Sequence, residues 1–465
     1  MSRPVAPASS SRVFAYEREH FQTLVEDALA LARSLGASDA AVEVSEGVGL
    51  SISVRKGEIE NVERNRDKSM GITVHVGQRR GHASTSDFSA QGLAQTVRAA
   101  HDIARFTAED PAAGLPDDAD IATVDAARRD LDLFHPWGVD AETAVDIARR
   151  CEAAAFAVSP LITNSEGAGV SAQQSHFYAA NSRGFSGGYA SSRHSISVAP
   201  IASVRGRGGP DMQRDAWYTS MRSPGELAAP EAVGRYAAER ALSRLRSRKI
   251  KTCEVPVLFE SSLAAGLVGS LVQATSGGAL YRQSSFLQDS LGKPVLADHL
   301  DLREDPHVLR GKGSAPFDDE GVATRPREVV RAGVLQGYFL STYSARKLGL
   351  RTTGNAGGSH NLAFTSRLTQ PGDDLEAMLR KLHRGLFVIE LMGQGVNYVT
   401  GDYSRGAAGF WVENGRLAYP VHEITIAGNL REMFMDIAAV GADVYTMGSK
   451  ATGSVLIPRM KIAGL

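Results

Sequence analysis

Residues 390–429, ELMGQGVNYVTGDYSRGAAGFWVENGRLAYPVHEITIAGN, hold the strongest turn motif of the chain between two apolar runs. Asn414-Gly415 joins residues 408–413 to residues 416–426, and Asn-Gly between alternating apolar residues favours the two-residue turn of a β-hairpin. The glycines at the start of the segment permit positive φ and close backbone approach, which is typical of loops that contact a ligand or partner. The segment therefore predicts paired antiparallel strands preceded by a candidate functional loop.

His422-Glu423 resembles the beginning of a zinc-binding HExxH helix. That helix needs a second histidine one turn later, so that both imidazoles reach one zinc ion while the glutamate activates water. Position 426 is isoleucine, and the surrounding residues alternate and are β-branched, which predicts a strand. Because a strand directs His422 and Glu423 to opposite faces, we do not expect His422 to bind a metal.

The remaining sequence predicts an α+β fold with antiparallel sheets and covering helices. Helical spacing of apolar residues indicates helices over residues 15–35, 90–106, 141–158 and 226–248. Alternating runs indicate strands within residues 50–86 and 168–204. The predicted divisions are an N-terminal α/β meander domain at 1–107, a linker at 108–130, a middle helix and hairpin region at 131–250, and a C-terminal antiparallel sheet domain at 251–465.

Composition excludes several classes of protein. The 465 residues suffice for two or three domains, and a net charge of −1 gives no global attraction to nucleic acid or an acidic membrane surface. The basic residues at 240–251 lie at a predicted helix end, where cations complement the helix dipole. No apolar run has signal-peptide or membrane-span length, and Cys151 and Cys253 predict no disulfide framework. We therefore expect a cytoplasmic protein that binds neither nucleic acid nor membranes.

Several longer strings occur in one order along the chain. They are SSFLQDSLGK, SAPFDDEGV, YSARKLGL, TTGNAGGSHN, LMGQGVNYVTGDYSRGAAGFWVENG, ITIAGNL and GSVLIPRMKIAG. Together they closely resemble the TldD/PmbA family of bacterial metallopeptidases, from about residue 40 onward and most densely after Cys253. The resemblance implies that the C-terminal domain contains a curved, barrel-like antiparallel sheet.

The resemblance also implies two kinds of subunit in a heteromeric peptidase. TldD-type chains carry zinc, with an HExxxH helix and a C-terminal cysteine as ligands, whereas PmbA-type chains, also called TldE, share the fold but lack this set. The corresponding helix here is residues 261–275, where the HExxxH positions fall on Val268, Gly269 and Gln273, and residues 449–453 contain no cysteine. Because these residues supply neither imidazole nor a general base, we expect no metal in this chain and zinc in a TldD-like partner.

The glycine-rich segment is the predicted peptide channel or subunit interface. Arg405 could hold a carboxylate bidentately, either from Asp402 or from a partner, although the segment could equally tie a sheet edge to the core. Residues 354–360 form a second, flexible polar loop, whose histidine we expect to lie at the surface or to be hydrogen-bonded. The candidate contact residues are Gly393, Gln394, Gly395, Asp402, Tyr403, Ser404, Arg405, Asn355 and His360, and no catalytic residue is assigned.

The leading hypothesis is a non-catalytic but required subunit of a zinc peptidase that acts on unfolded or extended peptides. An exposed strand can hold such a peptide through backbone hydrogen bonds, independently of its sequence. Two alternatives stay open. The chain could be a self-sufficient metallopeptidase with zinc held by scattered residues such as His360, His422 and a carboxylate. It could also be a non-enzymatic peptide-binding homo-oligomer, such as a homodimer.

Overall fold

The computed structural model describes residues 13–206 and 209–464, which form two compact units. Unit 1 contains the described residues up to Leu245 together with Asp319–Ala323, and unit 2 contains Arg246–Asp318 and residues 324–464. The predicted α+β class with antiparallel sheets is confirmed in both units.

Unit 1 is built on one antiparallel sheet of eight strands. The strands are β1 (Asp39–Arg55), β2 (Glu58–Val76), β3 (Arg79–Thr85), β4 (Ile162–Asn181), β5 (Ser186–Gly187), β6 (Ala190–Gly206), β7 (Gly209–Arg214) and β8 (Trp217–Met221). They follow the order β3-β2-β1-β4-β6-β7, with β5 beside β4 and β8 beside β6. Because β1 pairs with β4, the predicted N-terminal and middle regions share one sheet, and the four-part division stays a prediction.

The longer helices of unit 1 cover one face of this sheet. The helices are α1 (Arg18–Ser34), α2 (Ala90–Phe106), α3 (Val124–Ala127), α4 (Ala141–Val158) and α5 (Pro230–Ser243). Even-numbered residues of β1, such as Val42 and Ile52, are buried beneath them. Asp140 caps α4, as its side chain accepts a hydrogen bond from the backbone N–H of Thr143.

The predicted helix over residues 226–248 is shorter in the structure. Proline at the first turn fixes its start at Pro230, and the last helical residue is Ser243. Arg240 and Arg244 lie 3.3 Å and 3.5 Å from a carboxylate oxygen of Asp215 and are largely buried. These two basic residues therefore contribute to the fold of unit 1 through their contacts with Asp215.

Unit 2 contains the remaining helices and strands. The helices are α6 (Ser261–Ala274), α7 (Gly277–Tyr281), α8 (Thr342–Lys347), α9 (Leu375–Leu382) and α10 (Leu430–Met435). The strands are β9 (Cys253–Phe259), β10 (Leu300–Asp305), β11 (Arg327–Arg331), β12 (Val334–Leu335), β13 (Asn361–Ser366), β14 (Gly385–Met392), β15 (Asp402–Glu413), β16 (Arg416–Asn429), β17 (Ala439–Val440), β18 (Tyr445–Met447), β19 (Lys450–Thr452) and β20 (Val455–Ala463).

Two sheets organise unit 2. One has the order β12-β11-β10-β13-β19-β18. The other has the order β16-β15-β14-β9-β20-β17, and β20 also pairs with β16, which closes a five-stranded barrel. The expected barrel-like sheet is thus confirmed, with one parallel pair between β14 and β9. Apolar side chains from both sheets and from α6 form one large core.

The hairpin that opens the sequence analysis forms as predicted. Asn414 and Gly415 both have positive φ, at 53° and 72°, and join β15 to β16. His422 lies on β16, which confirms the predicted strand. A β-bulge places Glu423 at φ 51°, and its carboxylate binds Lys249 Nζ at 2.6 Å.

Candidate functional site

Helix α6 carries the positions that the family resemblance places on the zinc-binding helix. Val268 is buried in the core of unit 2, Gln273 is exposed, and Gly269 is half-buried. Apolar contacts, rather than ligand geometry, explain this helix, because Leu267 and Leu271 are also buried in the same core. The helix therefore presents no imidazole or carboxylate at these three positions.

The second expected ligand segment, residues 449–453, lies beside the same helix. A methyl group at Gly269 would lie 3.7 Å from Cε of Lys450, the first residue of β19. The two segments that the resemblance aligns with zinc ligands are therefore neighbours in space. Their chemistry does not fit the metal, since lysine brings a positive charge where a zinc site needs thiolate, imidazole or carboxylate. Within residues 13–206 and 209–464, no group of three or more His, Cys, Asp or Glu is placed to hold a metal ion.

A buried polar cluster of Glu304, Arg327, Asn355 and His360 lies at the edge of this region. Glu304 is only 1% exposed, and its Oε1 accepts hydrogen bonds of 2.8 Å from Asn355 Nδ2 and from the backbone N–H of His360. Its Oε2 accepts a hydrogen bond of 2.7 Å from Arg327 Nε, and Arg327 Nη2 donates to Asn355 Oδ1 at 3.2 Å. The buried carboxylate of Glu304 therefore holds both ends of the loop at residues 354–360, while Gly357 and Gly358 between them are exposed.

Both ring nitrogens of His360 face backbone carbonyls, and the one that carries the proton donates a hydrogen bond. Nδ1 lies 3.2 Å from the carbonyl oxygen of Gly313, and Nε2 lies 2.9 Å from that of Gly354. Of the two environments predicted for this histidine, the structure shows the hydrogen-bonded one. A metal at either ring nitrogen would have to displace a backbone carbonyl.

Backbone pairing joins the buried polar cluster to β19. The strand β13 begins directly after His360 and runs parallel to β19, with Leu362 opposite Lys450. The backbone N–H of Leu362 donates to the carbonyl oxygen of Ser449 at 2.8 Å. The structure therefore brings together α6, β19 and the loop of Asn355 and His360, and we call this region the α6–β19 site.

The glycine-rich loop at residues 393–396 folds back on the start of β15. The backbone N–H of Ser404 donates to the carbonyl oxygen of Gly395 at 2.6 Å, and Val396 forms a β-bridge with Tyr403. A Cβ at position 395 would lie only 1.7 Å from the carbonyl oxygen of Ser404, so glycine is required there. Gly393 and Gln394 are exposed, and Gly393 has a φ of 77°. The loop is thus joined by backbone hydrogen bonds to the first residues of β15, and its role as a peptide channel or subunit interface stays a prediction.

Arg405 does not hold Asp402 in the structure. Arg405 Nε donates to the carbonyl oxygen of Met392 at 3.3 Å. The carboxylate of Asp402 instead accepts hydrogen bonds from Thr400 Oγ1 at 2.6 Å and Asn429 Nδ2 at 3.2 Å, and these bonds lower its pKa. The intramolecular ion pair considered for Arg405 is therefore wrong, and a carboxylate from a partner stays the open alternative.

The side chain of Tyr403 is not accessible to a peptide or a partner in this structure. Its ring is buried, and burial raises the pKa of its hydroxyl to about 12. The alternation along β15 explains this, since Tyr403 points inward between the exposed side chains of Asp402 and Ser404. Only its backbone is positioned to contribute to a channel.

Sequence reasoning missed Glu304, Arg327 and Lys450. Glu304 had one usable signal, because period-two alternation places it on the same side of β10 as the buried Leu300 and Leu302. A carboxylate in that position must find donors, which identifies it as the centre of a polar cluster. Lys450 lies in the segment 449–453, which the resemblance aligned with a zinc ligand, but the sequence alone did not show that its side chain lies beside Gly269.

Comparison with known proteins agrees with this architecture. Three domains of the PmbA/TldA metallopeptidase family match the chain, with domain 1 at residues 40–104, the central domain at 134–245 and the C-terminal domain at 252–464. The chain belongs to the TldD/PmbA metallopeptidase family. No helix among the described residues has both the length and the apolar character needed to span a membrane.

Individual relatives cover nearly the whole chain. Metalloprotease PmbA of Escherichia coli O157:H7 is 49% identical over 449 residues, which is 96% of this chain and 97% of that protein. The PmbA homolog of Haemophilus influenzae is 43% identical over 456 residues, 98% of this chain and 99% of that protein. The crystal structure of TldE from Thermococcus kodakarensis superposes with a TM-score of 0.80 at 20% identity, covering 95% of this chain and all of that one, and shows the shared fold.

Proposed function

We propose that this chain is the metal-free subunit of a zinc peptidase in which a TldD-like chain holds the metal. The assembly acts on unfolded or extended peptides, and the cytoplasm is its expected location. The observation that carries the proposal is the α6–β19 site. There, Val268, Gly269 and Gln273 lie on the helix where the resemblance places zinc ligands, and Lys450 lies beside Gly269. A family fold with this chemistry supports a partner role rather than catalysis by the chain itself.

A contribution to peptide binding is supported by the strand-rich architecture of unit 2, whose two sheets contain twelve strands. An exposed strand can hold an extended peptide through main-chain hydrogen bonds, which gives affinity without a sequence requirement. This fits a substrate class defined by its extended conformation.

The test is reconstitution from separately purified chains. This chain, a TldD-like chain with an intact HExxxH motif, and their mixture are each incubated with an unfolded peptide, and cleavage is followed by mass spectrometry. We expect cleavage by the mixture, inhibition by a zinc chelator, and no cleavage by this chain alone. Replacing the glutamate of the partner's motif with glutamine provides a matched control, which should abolish cleavage without preventing assembly.

Zinc content and oligomeric state separate the proposal from its alternatives. Each chain is dialysed and its zinc measured, and light scattering gives the mass of each chain and of the mixture. About one tightly bound zinc per copy of this chain, with cleavage by the isolated chain, would establish a self-sufficient metallopeptidase instead. Peptide binding by a homodimer that responds neither to chelators nor to the TldD-like chain would establish the non-enzymatic alternative.

A further inference from the structure

Strand β2 forms a long edge of the unit 1 sheet before its pairing with β3 begins. Along Glu58–Ser69 it pairs with β1 on one side, and on the other side β3 joins it only from Met70 onward. Within residues 13–206 and 209–464, no other strand or isolated bridge pairs with Glu58–Ser69. Alternate residues of an antiparallel strand direct their N–H and C=O groups to opposite sides, so every second residue here offers main-chain donors and acceptors to an added strand.

The regular part of this stretch is Asn61–Ser69, which we call the β2 edge. A β-bulge at Glu60 interrupts the pairing with β1 at the end near the hairpin turn. From Asn61 to Ser69 the register with β1 is continuous, and these residues are exposed or half-buried. At about 3.4 Å per residue the β2 edge is roughly 27 Å long, which is enough for an extended peptide of about seven residues.

One face of the β2 edge carries a row of basic side chains. From Val62 onward, even-numbered residues of β2 pair with even-numbered residues of β1 and therefore lie on the helix-covered face of the sheet. Three successive residues on this face are Arg64, Arg66 and Lys68. Arg66 Nη1 lies 2.8 Å from Glu46 Oε1, whereas neither Arg64 nor Lys68 has an ion pair among the described residues. An added strand with acidic residues on the same face would complement this row.

The other face of the β2 edge carries Glu63 and Asp67, and this pattern disfavours a second copy of the same strand as the occupant. Two identical antiparallel strands are related by a two-fold axis. An axis at Asn65 sets Arg64 opposite Arg66 and Glu63 opposite Asp67, and an axis at any of those four charged residues sets that residue opposite itself. Like charges directly opposite each other destabilise strand pairing. The occupant should therefore differ in sequence from β2.

We propose that the β2 edge adds an extended peptide segment in which every second residue is acidic. The inference rests on the proposed function, which supplies extended peptides as ligands. Main-chain hydrogen bonds to the β2 edge hold the segment, and its acidic side chains face Arg64, Arg66 and Lys68. Each cross-strand pair of opposite charges contributes a small amount, so the preference grows with the number of acidic residues on that face.

Three peptides of equal length test the charge preference and the role of the peptide backbone. They are N-acetyl Thr-Glu-Thr-Glu-Thr-Glu-Thr amide, the same peptide with lysine in place of glutamate, and the glutamate peptide with every backbone nitrogen methylated. Binding to the full chain is measured by isothermal titration calorimetry at low ionic strength, because salt screens exposed charges. We expect the glutamate peptide to bind about tenfold more tightly than the lysine peptide, equivalent to about 1.4 kcal/mol. The methylated peptide should bind more weakly, since it has no N–H donors for a strand ladder.

Hydrogen exchange and two matched variants locate the bound peptide. The glutamate peptide should slow exchange of backbone amides within the β2 edge, which contacts between side chains alone would not do. Arg64→Gln should reduce the preference for glutamate about threefold. Arg98→Gln on α2 is the control and should leave the preference unchanged, because Arg98 is also exposed and has no ion pair among the described residues. Circular dichroism of each variant verifies the fold.

Equal affinities of the glutamate and lysine peptides, or of the glutamate peptide and its methylated form, would overturn the inference. Equal effects of Arg64→Gln and Arg98→Gln would do the same. Slow exchange at the β2 edge without peptide, in a dimer or in a monomer whose exchange rises when residues 1–12 are removed, would also overturn it. In either case a segment of this same protein would occupy the edge.

The experiment separates this inference from the proposed function. Binding at the β2 edge as expected, without cleavage of an unfolded peptide by the mixture with the TldD-like chain, would support the edge and refute the proposed function. Zinc-dependent cleavage by the mixture, with no change in exchange at the β2 edge when the glutamate peptide is added, would refute the edge and leave the proposed function standing.

Discussion

Replacing Glu304 with glutamine tests whether one buried carboxylate organises the loop of the α6–β19 site. All of its hydrogen-bond partners are donors, namely Asn355 Nδ2, the backbone N–H of His360 and Arg327 Nε. Whichever way a glutamine amide turns, its NH₂ group must face a donor, and Arg327 loses its counter-charge. The substitution keeps the size of the side chain, so lost packing does not contribute.

The expected cost follows from burial. Removing one partner of a buried ion pair costs about 3–5 kcal/mol. The side chain of Arg327 is 19% exposed while that of Glu304 is 1% exposed, so water can partly solvate the remaining charge and the lower end applies. About 3 kcal/mol corresponds to a fall in Tm of about 6–12 °C for a domain of this size class.

Thermal unfolding and hydrogen exchange provide the assay. Glu304→Gln should lower the Tm of unit 2 by this amount, and the backbone N–H of His360 should lose protection in a peptide covering residues 354–362. Glu376→Gln is the matched control, because Glu376 is 85% exposed and lies 3.7 Å from Arg380. That change should cost less than about 0.5 kcal/mol. A Tm within about 1 °C of the control, with the His360 amide still protected, would refute the reasoning.

Three further predictions address other parts of the chain. Gly395→Ala should disrupt the loop at residues 393–396, because its Cβ would lie 1.7 Å from a backbone oxygen of β15. Gly266→Ala on α6 is the comparison, since a Cβ there meets nothing within 4 Å and should stabilise the helix by about 0.5–1 kcal/mol. Thermal unfolding measures both variants, and equal Tm shifts would contradict this prediction. Burial, with nearby glutamates, raises the pKa of Cys151 to about 12. Iodoacetamide followed by mass spectrometry should therefore show that the half-exposed Cys253 is modified first and Cys151 only after unfolding. Modification of both cysteines at the same rate in the folded protein would contradict this prediction. Burial lowers the pKa of His194 below its unfolded value of about 6.5, so the unfolded chain takes up the proton first as the pH falls. Urea unfolding should therefore show unit 1 losing stability as the pH is lowered below about 7.5, with a smaller loss in His194→Gln. An unchanged pH dependence in that variant would count against this prediction.

The sequence predicted those elements correctly whose structure depends on residues close together in the chain. The amphipathic spacing gave α1, α2 and α4, and Asn414-Gly415 gave the hairpin, because helical periodicity and turn chemistry are local properties. The single sheet of unit 1 was not predictable in this way, since β1 pairs with β4 across more than a hundred residues. The closed barrel came from the family resemblance, as alternation alone indicates pairing but not closure.

The candidate site shows the same division. Close backbone approach was anticipated at Gly395, because glycine indicates it directly, although the contact with Ser404 was not. Asn355 and His360 were candidate residues, but their partners Glu304 and Arg327 were missed because they come from two other stretches of sequence. The pairing of Arg405 with Asp402, one of two that the sequence left open, does not form, and the Asp402 carboxylate accepts hydrogen bonds from Thr400 and Asn429 instead. Side-chain partners depend on tertiary placement, which spacing does not encode.

Closure of the barrel by β20 has a consequence for synthesis on the ribosome. β9 and β16 both pair with β20, so the barrel cannot close until Val455–Ala463 have left the ribosome. Meanwhile the nascent chain displays two unpaired strand edges, which are the surfaces that chaperones protect and that aggregate when left bare. All strands of the unit 1 sheet are synthesised much earlier. During translation, unit 1 can therefore fold while the barrel of unit 2 is still open.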